Sequence, residues 1–597
     1  MFVALGGKKG MEQVTLREST RIPGTNKKKT KIVKNYGYLS DLLKKDPNFV
    51  ENLKKELSEG REDKRLNKGL TITLPTDTIE TVSDQNKCYR FGHMIVKRLW
   101  EIMRLDKYFD QHCKQKNKDE VKKALFFLVA NRLGKPSSVL SACNRQDSFA
   151  GDFDITLDVL YSVLDVLADE TDSLIEHFSK FFQKETKRKM DTVSYDVTNY
   201  YFESTQQGQL RLFGFSKEHK NNEVLVVMGL LIDSNGIPVT MELFPGNTMD
   251  QNTLTNSVTR LEKLYGISEI TIVADRGMNS GGNLIFISDS NHHFVVSYTL
   301  KKAAQDIKKK CLDGTWDRID MDNTTGEMVF ASKSLKTTIT AKVPLTNEEY
   351  EALKKERKEQ KLKGKTPKYR DEEIDAIIHV TYSKKRAEKD RSDRERAIEK
   401  ALKRVDDKGL LQQSIRHGAN KYLDIDVNTN DAKLNQTKIN EDAGWDGYYA
   451  VITDKTEMTT EEAMQIYGGQ WKIEECFRIL KSDIEARPVR VFSDNHIRGH
   501  FMMCYMSLCI LRYIQYIMKE KEMEPYSAER LMACIGEPIV VAAGDYPHTI
   551  LQPTNLNEDF LKLIDMLGFE KLQRNMTLTR FRAVTRLSLN NKAKLLV

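Results

Sequence analysis

At 597 residues the chain is too long for one ordinary domain, and length divided by about 150 sets an expectation of roughly three to five structural units. Hydrophobic residues at 40% and charged residues at 30% exclude wholesale disorder and a collagen-like fibre, because a chain this apolar buries enough surface to offset its ordering entropy. Lys+Arg 94 against Asp+Glu 86 leaves +8, and the stretch Met1 to Leu70, with 17 basic and 9 acidic residues, holds that whole excess (17 − 9 = 8), so any attraction to a polyanion is concentrated there.

The first 45 residues alternate polar and apolar side chains in Glu12 to Glu18, turn at Ile22-Pro23-Gly24-Thr25-Asn26, and alternate again in Thr30 to Tyr36, which predicts a basic β-hairpin. Its lysines, Lys27, Lys28, Lys29, Lys31 and Lys34, read equally as phosphate contacts or as a solvated strand face. Ser58 to Lys68 is charged and Gly-flanked like a linker, which closes a first region at 1–70. Helical periodicity then dominates His93 to Lys189, within a region 71–190 that reads as a helical bundle and a candidate DNA-binding domain.

At Asp191 the period changes. Strands are predicted at Thr192 to Phe202, Glu223 to Ile232 and Ile237 to Phe244, the last two joined by the turn Asp233-Ser234-Asn235-Gly236. A helix at Asn252 to Leu264, a strand at Ile270 to Ala274, a helix at Ser280 to Ser288 and a strand at His293 to Leu300 follow, the pattern of a mixed α/β sheet. Residues 301–443 depart from it, with β-like text around Gly314 to Val343 and a heavily charged stretch Asn347 to Asp407 that reads as a solvated helix or hairpin arm, so an inserted domain is expected. The α/β text resumes over 444–520, with a strand at Gly447 to Thr453 and a capping-box helix start at Thr459-x-x-Glu462, leaving 521–597 as a C-terminal region.

The apolar run Phe501 to Met518 carries Arg512 and is short for a membrane span, so a buried helix and a soluble protein are expected. The eight cysteines include no Cys-x-x-Cys pair and no His partner at finger spacing, and no signal peptide is evident, which fits a reducing cytoplasm. Gly-x4-Gly-Lys-Ser/Thr, His-Glu-x-x-His and Gly-x-Ser-x-Gly are absent, which removes the motif basis for ATP, zinc-protease or serine-hydrolase chemistry.

Three carboxylates stand where strands and helices rarely place them. Asp196 interrupts the strand text Val193 to Phe202, and Asp275 ends the strand Thr271 to Ala274, at the carboxyl end where α/β sheets present functional groups. Each also has a bland reading, a solvent-facing turn for Asp196 and pairing with Arg276 or a helix cap for Asp275. If Gln470 to Asp483 is helical, Ile473, Phe477, Leu480 and Ile484 form its apolar stripe, while Trp471, Glu474, Arg478 and Lys481 share the adjoining polar face. Glu474 alone reads as an i,i+4 partner of Arg478. Gathered at one sheet edge, two Asp and one Glu could hold two Mg²⁺ ions through oxygen, an arrangement suited to in-line phosphoryl displacement.

In these residues the chain resembles the DDE transposases of bacterial insertion sequences, in the group whose last catalytic segment follows Tyr-x2-Arg-x3-Glu-x6-Lys. Here the segment is Tyr467, Gln470 in place of Arg, Glu474 and Lys481. Family-like text also surrounds Asp196-Val-Thr, Gly214-Phe-Ser-Lys217-Glu-His219-Lys220, Phe244-Pro-Gly246-Asn247-Thr248, Val273-Ala-Asp275-Arg276-Gly277 and Phe477-Arg478-Ile-Leu-Lys481-Ser.

The resemblance implies a ribonuclease H-like core, interrupted between Asp275 and Glu474, with Asp196, Asp275 and Glu474 as the catalytic, metal-binding triad for Mg²⁺, Mn²⁺ substituting. It implies phosphate contacts from Tyr467 and Lys481; Arg478, Trp471, Gln470 and the hairpin lysines Lys28 and Lys29 are further DNA-contact candidates by their place in the sequence. Gln470 lacks the bidentate reach of arginine, which bears on a DNA-hairpin intermediate, and Trp471 reads either as a base-stacking platform or as core. The implied activity is cleavage at terminal inverted repeats and joining of 3′-hydroxyl ends to target DNA by a homodimer in a synaptic complex, in a bacterial cytoplasm at the nucleoid and with no membrane partner. A ribonuclease H-like nuclease that cuts without joining, and a domesticated DNA-binding protein, are the competing readings.

Overall fold

The computed structural model describes residues 2–8, 10–21, 28–66, 88–215, 222–275, 280–360, 362, 364–406, 421–425, 432–543, 549–587 and 589. They fall into two compact units, one of Met1–Tyr89, Ile539–Asn555 and Glu570–Val597, the other of Arg90–Pro538 and Leu556–Phe569.

In the first unit, β1 (Phe2–Gly6), β2 (Gln13–Arg21) and β3 (Lys28–Tyr38) form an antiparallel sheet in that order. Val14 and Leu16, two apart on β2, turn to its buried side, whereas Lys29, Lys31 and Lys34 are exposed. The first strand, Phe-Val-Ala-Leu-Gly, is an apolar run without alternation and gave no periodic signal. The turn Ile22 to Asn26 and Lys27 lie outside the described residues. The segment read as a linker is instead helical through Leu66, in the helix Phe49–Leu66, because its Glu, Lys and Arg are good helix formers. A second sheet joins β4 (Cys88–Arg90) to strands Ile539–Ala543, Ile550–Thr554 and Met576–Thr577.

The second unit contains both the helical region and the α/β region. Helices Met94–Ile102, Leu105–His112, Lys118–Gly134, Val139–Arg145, Leu157–Asp169 and Thr171–Glu185 precede the strands β5 (Thr192–Tyr201), β6 (Leu225–Asp233), β7 (Pro238–Pro245), β8 (Thr271–Ala274), β9 (His293–Ser297), β10 (Arg318–Met321), β11 (Met328–Pro344) and β12 (Tyr369–Ser383). The small pair β13 (Leu423–Ile425) and β14 (Ala432–Leu434) comes before β15 (Tyr448–Thr453). Nine of these strands form one mixed sheet in the order β10-β11-β12-β15-β9-β8-β5-β6-β7, with β5 parallel to β8 and β8 parallel to β9.

This order revises the expected inserted domain. Strands β10, β11 and β12 do not fold apart but continue the central sheet, since Ile377 to Tyr382 of β12 pair antiparallel with Thr453 to Tyr448 of β15. The charged stretch is the far end of the β11–β12 hairpin, a solvated helix Asn347–Glu359 started by a Thr346/Glu349 capping box, followed after β12 by the helix Lys384–Asp406.

Every residue of β6 is buried, as a strand covered on both faces requires, and Gly229 within it leaves room for Tyr195, whose hydroxyl would stand 2.8 Å from an added Cβ. The β6–β7 turn is held by Asp233, which accepts from the amides of Asn235 and Ile237 at 2.9 Å each and pairs with fully buried Arg188 at 2.7 Å. Helices Leu254–Tyr265 and Gly281–Asp289 cover one sheet face, packing with Val193, Tyr195, Val197, Ile272 and Ala274. Helix Thr460–Gly468 covers the other, packing Ala463 with Val273, Val295 and Val451.

Helix Asp494–Glu520 is the one helix among the described residues long and apolar enough to cross a membrane, and 83% of its apolar window is buried in the protein. It packs along helix Leu157–Asp169 so closely that a Cβ on Gly499 would stand 2.0 Å from the Leu164 carbonyl oxygen.

Candidate active site

Side chains alternate along a strand, so the face taken by each acid follows from its neighbours. On β5, Val193, Tyr195 and Val197 pack on the Leu254–Tyr265 side, which sends Asp196 to the opposite face. On β8, Ile272 and Ala274 pack on that same side and Val273 on the other, so Asp275, two beyond Val273, joins Asp196. The parallel register pairs Tyr195 with Ala274, which makes Asp196 and Asp275 the next residues in line, on strands about 4.8 Å apart. Asp196 is half-buried, with Oδ1 accepting from the Val197 amide at 2.7 Å, and Asp275 is exposed where the strand ends.

Helix Trp471–Arg478 packs on β5 and β6. Ile473, Cys476 and Phe477 anchor it, Lys472 Nζ donates to the Ser234 carbonyl at 2.5 Å, and the Cys476 thiol to that of Gly236 at 3.6 Å. Glu474 is exposed on this helix, and Arg478, its partner in the bland reading, bonds Asp483 at 3.1 Å instead. The helix then widens into a π-helical turn, Ile479–Asp483, rather than running on as regular α-helix. Lys481 lies in that turn with Nζ 5.7 Å from the centroid of the Tyr200 ring, and Tyr200 shares the Asp196 face of β5.

The remaining sequence candidates divide. Trp471 is 57% exposed, a surface ring rather than a core one. Gln470 is only 7% exposed, with neither amide atom bonded, so it presents no contact at the surface. Tyr467 is half-buried with its ring 5.9 Å from that of Tyr449. Lys29 is exposed on β3; the side chain of Lys28, and Lys217, His219, Lys220, Arg276 and Gly277, lie outside the described residues.

Two neighbours of this site were not singled out by sequence. Tyr449 on β15 is hydrogen-bonded to Tyr467, and burial above all, then that bond and the nearby Asp275 charge, hold its phenol far above the ordinary range. Its ring is capped by Arg386 of helix Lys384–Asp406, whose guanidinium carbon lies 4.3 Å from the centroid. Arg386 was one cation in a long charged run, and Tyr449 one aromatic in a strand, so neither carried a distinguishing signal.

The donor set of two Asp and one Glu is all hard oxygen, which suits Mg²⁺ or Mn²⁺. Among the described residues no three His, Cys, Asp or Glu side chains stand close enough to share one ion, so the arrangement is two adjacent acids with a third on the covering helix.

A solved structure, the piggyBac transposase synaptic complex with hairpin DNA, aligns over 74% of this chain and 76% of that chain at 9% identity and a TM-score of 0.32, too slight a likeness to bear on the fold. No curated protein sequence matches the chain. The family model described as transposase DDE domain matches residues 187–510, more than half of the chain, from just before β5 to within the long helix that backs Glu474. The chain therefore belongs to the transposase DDE domain family.

Proposed function

We propose that the chain is a DNA transposase of the bacterial insertion-sequence type. It binds terminal inverted repeats, hydrolyses a phosphodiester at each transposon end, and joins the freed 3′-hydroxyl to target DNA by transesterification. What supports this most is the adjacency of Asp196 and Asp275 on one sheet face, on strands overlaid by the elements that carry Tyr467 and Glu474. The order β7-β6-β5-β8-β9, three antiparallel strands followed by two parallel ones, favours a ribonuclease H-like core.

In this reading Asp196, Asp275 and Glu474 hold Mg²⁺, or Mn²⁺ in its place. The bound ions would supply Lewis acidity at the phosphoryl oxygens and lower the pKa of the attacking water or hydroxyl. Lys481 meets a phosphate as a point charge, and Tyr467, fixed by Tyr449, orients the strand end. Buried Gln470 supplies no bidentate clamp, so end cleavage proceeds without that contact. Two copies, each on one transposon end, form the synaptic complex in the bacterial cytoplasm.

Labelled duplexes carrying the inverted repeats that border the gene provide the test. The wild type is expected to nick the ends and join them to a target plasmid in Mg²⁺. Asp196→Asn, Asp275→Asn and Glu474→Gln should each lose more than the roughly 100-fold that disturbing an outer-shell group costs, while still binding the duplex. Nicking without joining would leave a nuclease, and full activity in Asp275→Asn would remove that residue from the triad.

A further inference from the structure

Beyond Glu474 the chain leaves the π-helical turn and lines a second, separate site. A cavity of about 240 Å³ opens between the end of helix Lys118–Gly134, the start of helix Val139–Arg145, and the stretch Glu485 to Val491. We propose that this cavity, lined by Arg132, Ser137, Ser138, Ser141, Arg487 and Arg490, holds a backbone phosphate of bound DNA away from the cleaved bond.

The polar part of the lining is mostly donors, three arginines and three serines. Arg132 is 4% exposed, and its Nη1 donates to the carbonyls of Ile484 and Glu485 at 3.3 Å each, yet its Nε is buried with no acceptor. A buried charged donor without an acceptor is costly, and a phosphate oxygen is the acceptor such a site lacks. Ser137 accepts from the Asn131 amide at 3.1 Å and Ser138 from the Ser141 amide at 3.2 Å, which leaves each hydroxyl its own proton to give. Arg490 is exposed at the edge, and Glu485 is the one acid in the lining.

The surroundings reinforce the sign. Arg145, on the helix that starts at the cavity, donates its Nε to the carbonyl of the lining residue Ser141 at 3.2 Å, so a further cation stands beside this edge. A purely structural Arg132 would account for its two carbonyl bonds but not for the orphaned Nε.

Its place also suits a DNA contact. The Val489 amide donates to the Tyr201 carbonyl at 3.1 Å, tying the cavity to the carboxyl end of β5. Tyr201 is five residues beyond Asp196, about 16 Å of strand, a few base steps along a duplex. A phosphate held there would fix the register of the DNA without reading its sequence.

The inference rests on the proposed DNA-binding function for the source of the phosphate, not for the pocket itself. The full chain is titrated with three duplexes of unrelated sequence across a salt series, reading affinity by fluorescence anisotropy. Arg490→Ala should weaken all three by a similar factor and reduce the log–log salt slope by about 0.9, with Arg490→Lys restoring most of it. Ser137→Ala should weaken binding about 3- to 10-fold with the slope unchanged, a loss that charge alone would not produce. Wild-type affinity in Arg490→Ala, or in Ser137→Ala, overturns the assignment to DNA. In a second arm, inorganic phosphate is added during melting: a rise for the wild type that Arg490→Ala lacks supports a phosphate site, and no rise together with unaltered DNA binding overturns it altogether. If the wild type binds no duplex, the proposed function fails instead, and a phosphate response then marks a site for the free ion.

Discussion

Arg512 closes on the sulfur of Cys476, with Nε at 3.3 Å and Nη2 at 3.2 Å, and gives Nη1 to the Glu475 carboxylate at 2.9 Å. This arginine, buried in the helix Asp494–Glu520, thus seizes the two residues that follow Glu474, and its Nη2 also donates to the Lys472 carbonyl at 3.2 Å. Arg512→Ala is expected to cost about 2–4 kcal/mol, because Glu475 and the Lys472 carbonyl lose a charged donor in a mostly buried setting. Its second effect separates positioning from packing: the Mg²⁺ concentration for half-maximal strand cleavage should rise. A lower melting midpoint with an unaltered Mg²⁺ requirement would assign Arg512 to stability alone.

Acid should find a weak point at His500. Burial, then the Arg132 charge, push its pKa down to about 3, and its ring faces Arg132, the Ala486 carbonyl and the Cys504 thiol. An unfolded His takes its proton near pH 6.5, so between those values the unfolded chain binds the extra proton. The contribution is therefore complete above about pH 6.5 and declines by about 1.4 kcal/mol per pH unit as the medium is acidified toward 3. His500→Gln, which can still donate to Ala486, should flatten the melting-temperature profile between about pH 6 and 4 relative to the wild type. Parallel profiles would show that other groups set the acid sensitivity.

Tyr449 is hydrogen-bonded to Tyr467 and stands near the Asp275 carboxylate. Tyr449→Phe keeps the ring under Arg386 but removes the hydroxyl. Mn²⁺ affinity and cleavage are expected to fall about 10- to 100-fold, as when a group behind a metal ligand is lost. The fold should survive, which circular dichroism checks. Unchanged Mn²⁺ binding would place Tyr449 outside the ligand support.

Much of this site was legible because its signals are local. Asp196 and Asp275 stand out against β-branched and aromatic neighbours, and the helix of Glu474 announces itself through Ile473, Phe477 and Leu480. Long-range pairing leaves no such trace. Nothing near Ile377 says that it lies beside Thr453, so three strands of the central sheet read as a separate domain. Gln470 and Trp471 are adjacent polar and aromatic positions at the start of one helix, and only packing decides that the amide goes in and the ring out. The π turn at Ile479–Asp483 likewise adds a residue to a turn without any break in composition.

Gly499 offers a sharp test of the packing that backs the site. An added methyl would meet the Leu164 carbonyl oxygen at 2.0 Å, main chain that cannot turn aside as a side chain would. Gly499→Ala should cost at least the roughly 1–3 kcal/mol of ordinary overpacking, despite alanine's better helix propensity. Thermal unfolding that matches or exceeds the wild type would mean that the two helices separate freely.

Trp471 carries the last expectation, because a large ring 57% exposed at the start of the Glu474 helix contributes little to the core. Trp471→Ala should leave the melting temperature within about 1 °C, since surface substitutions away from structural features change stability by less than ~0.5 kcal/mol. If the ring stacks on a base unpaired at the cleaved end, binding to a duplex with a frayed terminus should weaken by about 1–3 kcal/mol, whereas a blunt, fully paired duplex should bind as before. Trp471→Phe should recover part of the loss, because a smaller aromatic face still stacks. Equal weakening on both duplexes would point to a backbone contact instead, and no weakening on either would leave the ring without a part in DNA recognition.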